Sequence, residues 1–350
     1  MGCTFGCCVQ EEVDDNYHEN EEVVHTSEIQ KVRDVRVAIF GTAGSGKSTI
    51  VKHMRLLNEG SFDELDQRQY KPVIYSNVIH SLLDIIEAMH EMNLDFENKA
   101  RRKDHVIVDL VVKRHLEEKA YNLQVFEAMK RIWADGSIQA TFARRNEYQL
   151  MDNVEYFFND LDRLADDDYE PTDRDIVLTH IRTTGITRIS IVFDDLRFEL
   201  IDVAGHRAER RKWVNCFQNI DAMIYCCAIS EFDQKLNEDN RTNRLEDSYA
   251  LLNSLYQSRW LHNTVVIMFW TKKDLFDMKI KSAQSSTSTD GLTSFDDFVE
   301  EFEERCPFLY QEQVQCYFHV MSSIISDVHA VYDDVTDTIL ENNLNETRLF

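Results

Sequence analysis

Residues 40–49, FGTAGSGKST, decide the fold of this chain. They follow a short β-like run of apolar residues, 35–40, and lead into a helix-like run over 47–57. A strand, a turn with the spacing G-x-x-x-x-G-K-S and a helix together predict a phosphate-binding loop. Such a turn sets backbone N–H groups at a helix N-terminus, where they cradle a polyphosphate. The predicted phosphate ligands from this loop are Gly41, Gly44, Ser45, Gly46, Lys47, Ser48 and Thr49.

The overall composition excludes several classes of protein. The chain has 350 residues and a net charge of −25, and so acidic a surface repels DNA and RNA. A nucleotide needs only a local positive potential, so nucleotide binding is not excluded. The sequence contains no run of about 18 apolar residues, so no membrane span is predicted. We also expect no secretory signal.

Cysteine usage indicates a reducing compartment and a lipidated start. The chain has 8 cysteines, none with C-x-x-C spacing, so neither a zinc site nor a disulfide framework is predicted. Cys3, Cys7 and Cys8 follow Gly2, and we expect lipidation at Gly2 and Cys3. Gly6 stands where the myristoylation pattern has Ser or Thr, so an unmodified tail is the alternative.

Periodicity divides the chain into three parts. Residues 1–30 form an acidic segment that would carry the lipid, and residues 61–177 have the apolar spacing of an all-helical insert. Residues 31–60 and 178–350 alternate strands with helices, which predicts an α/β domain with a mostly parallel sheet. The candidate strands after the insert are 188–193, 198–201, 222–229, 264–270 and 316–321, and the candidate helices are 210–217, 245–256, 294–305 and 327–342.

Two motifs after the insert extend the predicted phosphate site. Asp202 ends an apolar strand and opens the sequence DVAG, so its carboxylate can hold Mg²⁺ while Gly205 approaches the last phosphate. The Ser48 hydroxyl would bind the same Mg²⁺, and a hydroxyl at Thr183 could complete the shell. In TKKD, residues 271–274, the carboxylate of Asp274 can accept two hydrogen bonds from guanine, which adenine cannot donate.

With these three elements in this order, the chain resembles a heterotrimeric G-protein α subunit over nearly its whole length, and most of all the inhibitory subclass. The resemblance implies a Ras-like P-loop GTPase domain and a helical domain that encloses GDP or GTP with Mg²⁺. It also implies a βγ dimer, a G-protein-coupled receptor, an effector and a regulator of G-protein signalling as partners, at the cytoplasmic face of the plasma membrane. The segments that carry it are MGCT at 1–4, QYKP at 69–72, YSN at 75–77, EYQL at 147–150, LDR at 161–163, TTGI at 183–186, ERRKW at 209–213, KKDLF at 272–276 and NNL at 342–344.

The residues that the family uses for hydrolysis differ in this chain. His180 stands where the family has arginine, His206 replaces glutamine, and Ala43 replaces a glycine in the phosphate loop. An arginine is always charged, whereas histidine is mostly neutral near pH 7 and offers one donor. Imidazole also lacks the paired carbonyl and amide with which glutamine orients water. We therefore expect slowed hydrolysis of GTP.

Other interpretations of turnover remain open. The chain could be a nucleotide-binding signalling scaffold with no useful hydrolysis, or its nucleotide site could be degenerate. Alternatively, protonated His180 and water-positioning His206 would keep the rate near normal.

The base-binding residues are also altered relative to the family. Thr271 replaces an asparagine, although its hydroxyl can still tether the phosphate loop, and the stem of Lys272 can lie over the base. Ser322 falls in the segment whose backbone N–H would reach guanine O6. The predicted guanine-binding residues are therefore Thr271, Lys272, Asp274 and Ser322.

Overall fold

The structure is a computed structural model. It describes residues 33–116, 123–193, 196–218, 220–236, 238–258, 261, 264–284, 292–311 and 314–322. The predicted lipidation sites Gly2 and Cys3, and the predicted helix 327–342, lie outside these residues.

The described strands are β1 Arg33–Gly41, β2 Ile186–Phe193, β3 Leu196–Val203, β4 Ala222–Ala228, β5 Val265–Thr271 and β6 Cys316–Val320. They form one sheet in the order β2-β3-β1-β4-β5-β6. Strand β2 is antiparallel to β3, and the other neighbours are parallel, so the predicted mostly parallel sheet is confirmed. Every residue of β4 and β5 is buried, as is typical of central strands covered on both faces.

Helices follow the phosphate loop, fill the insert and alternate with the later strands. Helix α1, Lys47–Glu59, directly follows the loop. Among the described residues, no helix is both long and apolar enough to cross a membrane. The other α-helices are α2 Glu64–Glu91, α3 Arg101–Lys113, α4 Leu123–Trp133, α5 Gly136–Ala143, α6 Val154–Phe158, α7 Leu161–Leu164, α8 Asp173–Leu178, α9 Arg244–Tyr256, α10 Lys273–Gln284 and α11 Phe295–Arg305.

The helix predicted at 210–217 is a short 3₁₀ helix over Arg210–Asn215 in the structure, not an α-helix. The side chain of Trp213 fixes this short segment. Its indole N–H donates to the Ala204 carbonyl at 2.9 Å, and the residue is only 3% exposed. The segment is therefore held by a buried anchor rather than by a ladder of α-helical hydrogen bonds.

Apolar side chains form a separate cluster on each face of the sheet and a third among the insert helices. Helix α1 covers one face with Ile50, Val51 and Met54. Helices α9, α10 and α11 cover the other face, with Phe276 and Phe298 among their contacts. The third cluster draws all its buried members from residues 74–169. These insert helices, which we call the helical segment, therefore have an apolar core of their own.

Buried His53 on α1 makes the stability of this fold depend on pH. The residue is 2% exposed, and neither ring nitrogen has a hydrogen-bond partner in the described part of the chain. Burial, with a smaller effect of Lys52, lowers the pKa of His53 from 6.5 to about 4. The unfolded chain therefore takes up this proton first, and stability is lost as the pH falls from 6.5 towards 4.

We predict that lowering the pH from 7 to 5 reduces the free energy of unfolding by about 2 kcal/mol through this histidine alone. The variant His53→Gln should lose that part of the pH dependence, because its side chain does not titrate. Urea unfolding of both proteins at the two pH values measures the difference. The variant His115→Asn, which replaces an exposed histidine, is the matched control. An unchanged pH dependence in His53→Gln would contradict the assignment.

Candidate phosphate and metal site

The phosphate loop joins β1 to α1 and is shaped by three glycines. Gly46 precedes α1 with φ 92°, and Gly44 has φ 77°, both in the left-handed region that favours glycine. A Cβ on Gly41 would lie 2.4 Å from the Cys226 carbonyl oxygen. The loop therefore needs glycine at these positions. Ser45 lies between Gly44 and Gly46, and Thr49 lies in the first turn of α1.

Lys47 folds back over this loop. Its ammonium donates to the Gly41 carbonyl at 3.1 Å and to the Thr42 carbonyl at 2.6 Å. Burial lowers the pKa of Lys47, and the nearby carboxylate of Asp202 opposes that effect. The predicted phosphate-binding cation thus lies against the backbone of the loop itself.

The three residues predicted to bind a metal come together although they are distant in sequence. The hydroxyls of Ser48 and Thr183 lie 2.7 Å apart, and Ser48 donates to Asp202 Oδ2 at 2.8 Å. Burial raises the pKa of Asp202, and the hydrogen bond from Ser48 partly offsets this rise. The second oxygen, Oδ1, is buried without a hydrogen-bond partner among the described residues. Three oxygen donors, one of them a carboxylate with an unpaired oxygen, fit a hard divalent cation such as Mg²⁺.

Gly205 brings the loop after β3 against the phosphate loop. A Cβ there would lie 2.5 Å from the Thr42 carbonyl carbon and 2.6 Å from both Ala43 N and Lys47 Nζ. These distances are too short for any side chain, so only glycine permits this approach. Arg210 supports the turn by donating to the Gly205 carbonyl at 3.0 Å and pairing with Asp247 on α9 at 2.5 Å.

The predicted base-binding residues lie at the ends of β5 and β6. The Thr271 hydroxyl donates to the Ser45 carbonyl at 2.8 Å, so it tethers the phosphate loop. Lys272 follows with φ 62°, and Asp274 lies in the first turn of α10. Ser322 comes two residues after β6, whose end is joined to β5 by the hydrogen bond from Met321 N to the Trp270 carbonyl, 2.8 Å.

The two histidines have different surroundings. His180 is exposed, and its backbone N–H donates to Asn77 Oδ1 at 2.7 Å. The surrounding protein nevertheless lowers the pKa of His180 by desolvation, and the cations Lys52 and Lys272 add to the effect. His180 is therefore neutral at pH 7. His206 is half-buried, and its Nδ1 lies 3.4 Å from Glu238 Oε1.

Several charged residues beside the site belong to no sequence motif and were not predicted from the sequence. Glu231, Arg244 and Asp152 surround Lys272 and the phosphate loop. One signal could have found Glu231, since it closely follows the buried strand β4. The carboxyl ends of parallel strands share the edge of the sheet where ligands bind.

Comparisons with known proteins identify the family of this chain. A family model described as "G-protein alpha subunit" matches residues 10–346. A "Guanine nucleotide-binding protein G(o) subunit alpha" from Locusta migratoria is 39% identical over 329 residues, which is 92% of this chain and 92% of the relative. Proteins of the same name from Manduca sexta and Caenorhabditis elegans are 39% and 38% identical with the same coverage. The chain therefore belongs to the G-protein alpha subunit family.

Proposed function

We propose that this chain binds GDP and GTP with Mg²⁺ and acts as a signal-transducing GTPase whose hydrolysis is slow. The observation that carries the proposal is the meeting of Ser48, Thr183 and Asp202 beneath the phosphate loop. Membership of the G-protein alpha subunit family supports the activity and the transducer role.

The residues divide into three roles in this proposal. Ser48, Thr183 and Asp202 would hold Mg²⁺, which would supply positive charge to offset the negative charge of the phosphates. Asp274 would select guanine, with Thr271, Lys272 and Ser322 completing the base site. The phosphate-binding residues would be Gly41, Gly44, Ser45, Gly46, Lys47, Ser48, Thr49 and Gly205.

Slow hydrolysis follows from what surrounds the reacting phosphate. A neutral His180 adds no positive charge where an arginine would stabilise the transition state. The contact of His206 Nδ1 with Glu238 leaves one ring nitrogen to orient water. Ala43 adds a methyl group to the loop. The lowered pKa of His180 also speaks against the alternative in which a protonated His180 keeps the rate near normal.

The same proposal includes the arrangement of domains and partners. Residues 31–60 and 178–350 would form the GTPase domain and 61–177 the helical domain, which the separate apolar core supports. Residues 1–30 would attach the chain to the plasma membrane through lipid on Gly2 and Cys3. We infer a βγ dimer, a receptor, an effector and a regulator of G-protein signalling as partners.

We predict that the purified protein prefers GDP and GTP over adenine nucleotides by about 10²-fold or more, because Asp274 pairs with donors that adenine lacks. Chelation of Mg²⁺ should weaken GTP binding by about 10²-fold. Asp202→Asn should abolish most of this magnesium dependence. Competition against a fluorescent GTP analogue, with and without EDTA, measures all three.

The control for this experiment is Asp221→Asn, which changes a carboxylate at the opposite end of β4. Asp221 accepts a hydrogen bond from Arg36 N and should leave the magnesium dependence intact. Equal affinity for adenine and guanine nucleotides would refute the proposed base selection. Binding that ignores Mg²⁺ would refute the metal site.

We predict that His180→Arg raises the single-turnover rate of GTP hydrolysis by about tenfold or more, since an arginine in this role contributes 10³ to 10⁵ in related enzymes. His206→Gln should also raise the rate by restoring a carbonyl and an amide beside the water. The double variant should be fastest, with a gain that is not the product of the two, because such groups act as a unit. Phosphate release after a single addition of Mg²⁺ to the GTP-loaded protein measures the rates.

His115→Arg is the matched control, since it adds an arginine at an exposed site outside the cleft. A wild-type rate that already equals that of the double variant would contradict slow hydrolysis. If no wild-type turnover occurs even with a regulator of G-protein signalling, the chain is the non-hydrolysing scaffold instead. A rate that rises below pH 6.5 would identify protonated His180 as the active form.

A further inference from the structure

A buried carboxylate, Glu231, is shared by two cations beside the proposed nucleotide site. Glu231 is 3% exposed and ends the 3₁₀ turn after β4. It accepts hydrogen bonds from Arg244 Nε at 2.9 Å, from Arg244 Nη2 at 3.0 Å and from Lys272 Nζ at 2.9 Å. We call Glu231, Arg244, Lys272, Gln149 and Asp152 the Glu231 cluster.

One arm of the Glu231 cluster reaches the phosphate loop. Arg244 Nη2 donates to the Ala43 carbonyl at 2.6 Å. The same atom lies 2.7 Å from where a Cβ on Gly44 would be, so the guanidinium occupies the space of a side chain at that position. The other arm is Lys272, in the loop proposed to bind the base. Glu231 therefore connects the phosphate end of the site to the base end.

Both cations also contact the helical segment. Arg244 Nη1 donates to Gln149 Oε1 at 3.1 Å, and Lys272 pairs with Asp152 at 2.7 Å. Gln149 Nε2 donates in turn to the Lys235 carbonyl at 2.8 Å. These contacts join the segment after α5 to the loops at the carboxyl edge of the sheet.

The balance of charge in the cluster depends on Glu231. The side chains of Arg244 and Lys272 are 14% and 15% exposed, whereas that of Asp152 is 44% exposed. Without Glu231, two partly buried cations would share one half-solvated carboxylate and repel each other. Leaving such a charge unpaired is more costly than losing an exposed ion pair.

We propose that Glu231 is a positioning residue that slows the release of bound nucleotide. It holds Arg244 against the phosphate loop and Lys272 at the base loop, and through them it holds Gln149 and Asp152 of the helical segment beside the site. The inference rests on the proposed function, because it concerns the nucleotide that this site would bind.

The test compares Glu231→Gln with the wild type in a GDP-release experiment. A fluorescent GDP analogue is loaded and then chased with excess unlabelled GDP. We expect release to be faster by about tenfold or more, the value of one charge-assisted hydrogen bond. The effect on release should exceed any change in the rate constant for hydrolysis of preloaded GTP. A general loss of structure would change both rates and would not produce this difference.

Asp233→Asn is the matched control. Asp233 lies two residues further on and pairs with Lys279 at 2.5 Å, outside the cluster, so its neutralisation should leave release unchanged. Glu231→Asp keeps the charge on a shorter side chain and should release GDP at an intermediate rate. It also serves as the test if thermal melting shows that Glu231→Gln is unfolded. Release within twofold of wild type in the folded Glu231 variants would overturn the proposal.

A double-mutant cycle tests the link to the helical segment. Asp152→Asn and Glu231→Gln should accelerate release by less in combination than the product of their separate effects, because both act through Lys272. Independent, multiplying effects would overturn the link. A wild-type protein that retains no guanine nucleotide would refute the proposed function itself, whereas normal retention with an inert Glu231 would refute only this inference.

Discussion

The hydrogen bond from Ser48 to Asp202 is the interaction on which the rest of the site depends. Ser48 is at the start of α1 and Asp202 is at the end of β3, so this bond fixes the helix against the sheet at the phosphate loop. Thr183 joins the pair from the stretch between α8 and β2. The position of the insert relative to the sheet and the proposed metal site therefore share one set of oxygen atoms.

The sequence predicted those parts of the molecule where local chemistry restricts the backbone. The phosphate loop was predicted from its glycines, two of which have φ near 77° and 92° in the structure. The strand predicted at 264–270 is displaced by one residue from the observed strand, Val265–Thr271. The predicted helix 294–305 agrees with α11, whose first turn is capped by the Ser294 side chain. The helix predicted at 210–217 is shorter and of the 3₁₀ type, because a single buried tryptophan, rather than apolar periodicity, determines its conformation.

The contacts between distant charged residues could not be predicted. Arg244 donates to a carbonyl 201 positions earlier in the chain, and no spacing rule connects the two residues. The contact of His206 with Glu238 and the lowered pKa of His180 likewise depend on how separate loops meet. Motifs identify the groups that contact a ligand, whereas the residues that orient those groups become visible only once the chain has folded.

The crowding of Gly44 by Arg244 has an evolutionary consequence. The Cβ of any side chain at position 44 would lie 2.7 Å from Arg244 Nη2, so the guanidinium would have to move to make room for it. The two positions therefore cannot drift independently. A side chain at position 44 requires the arginine to turn away, so we expect the effects of substitutions at the two positions to depend on one another.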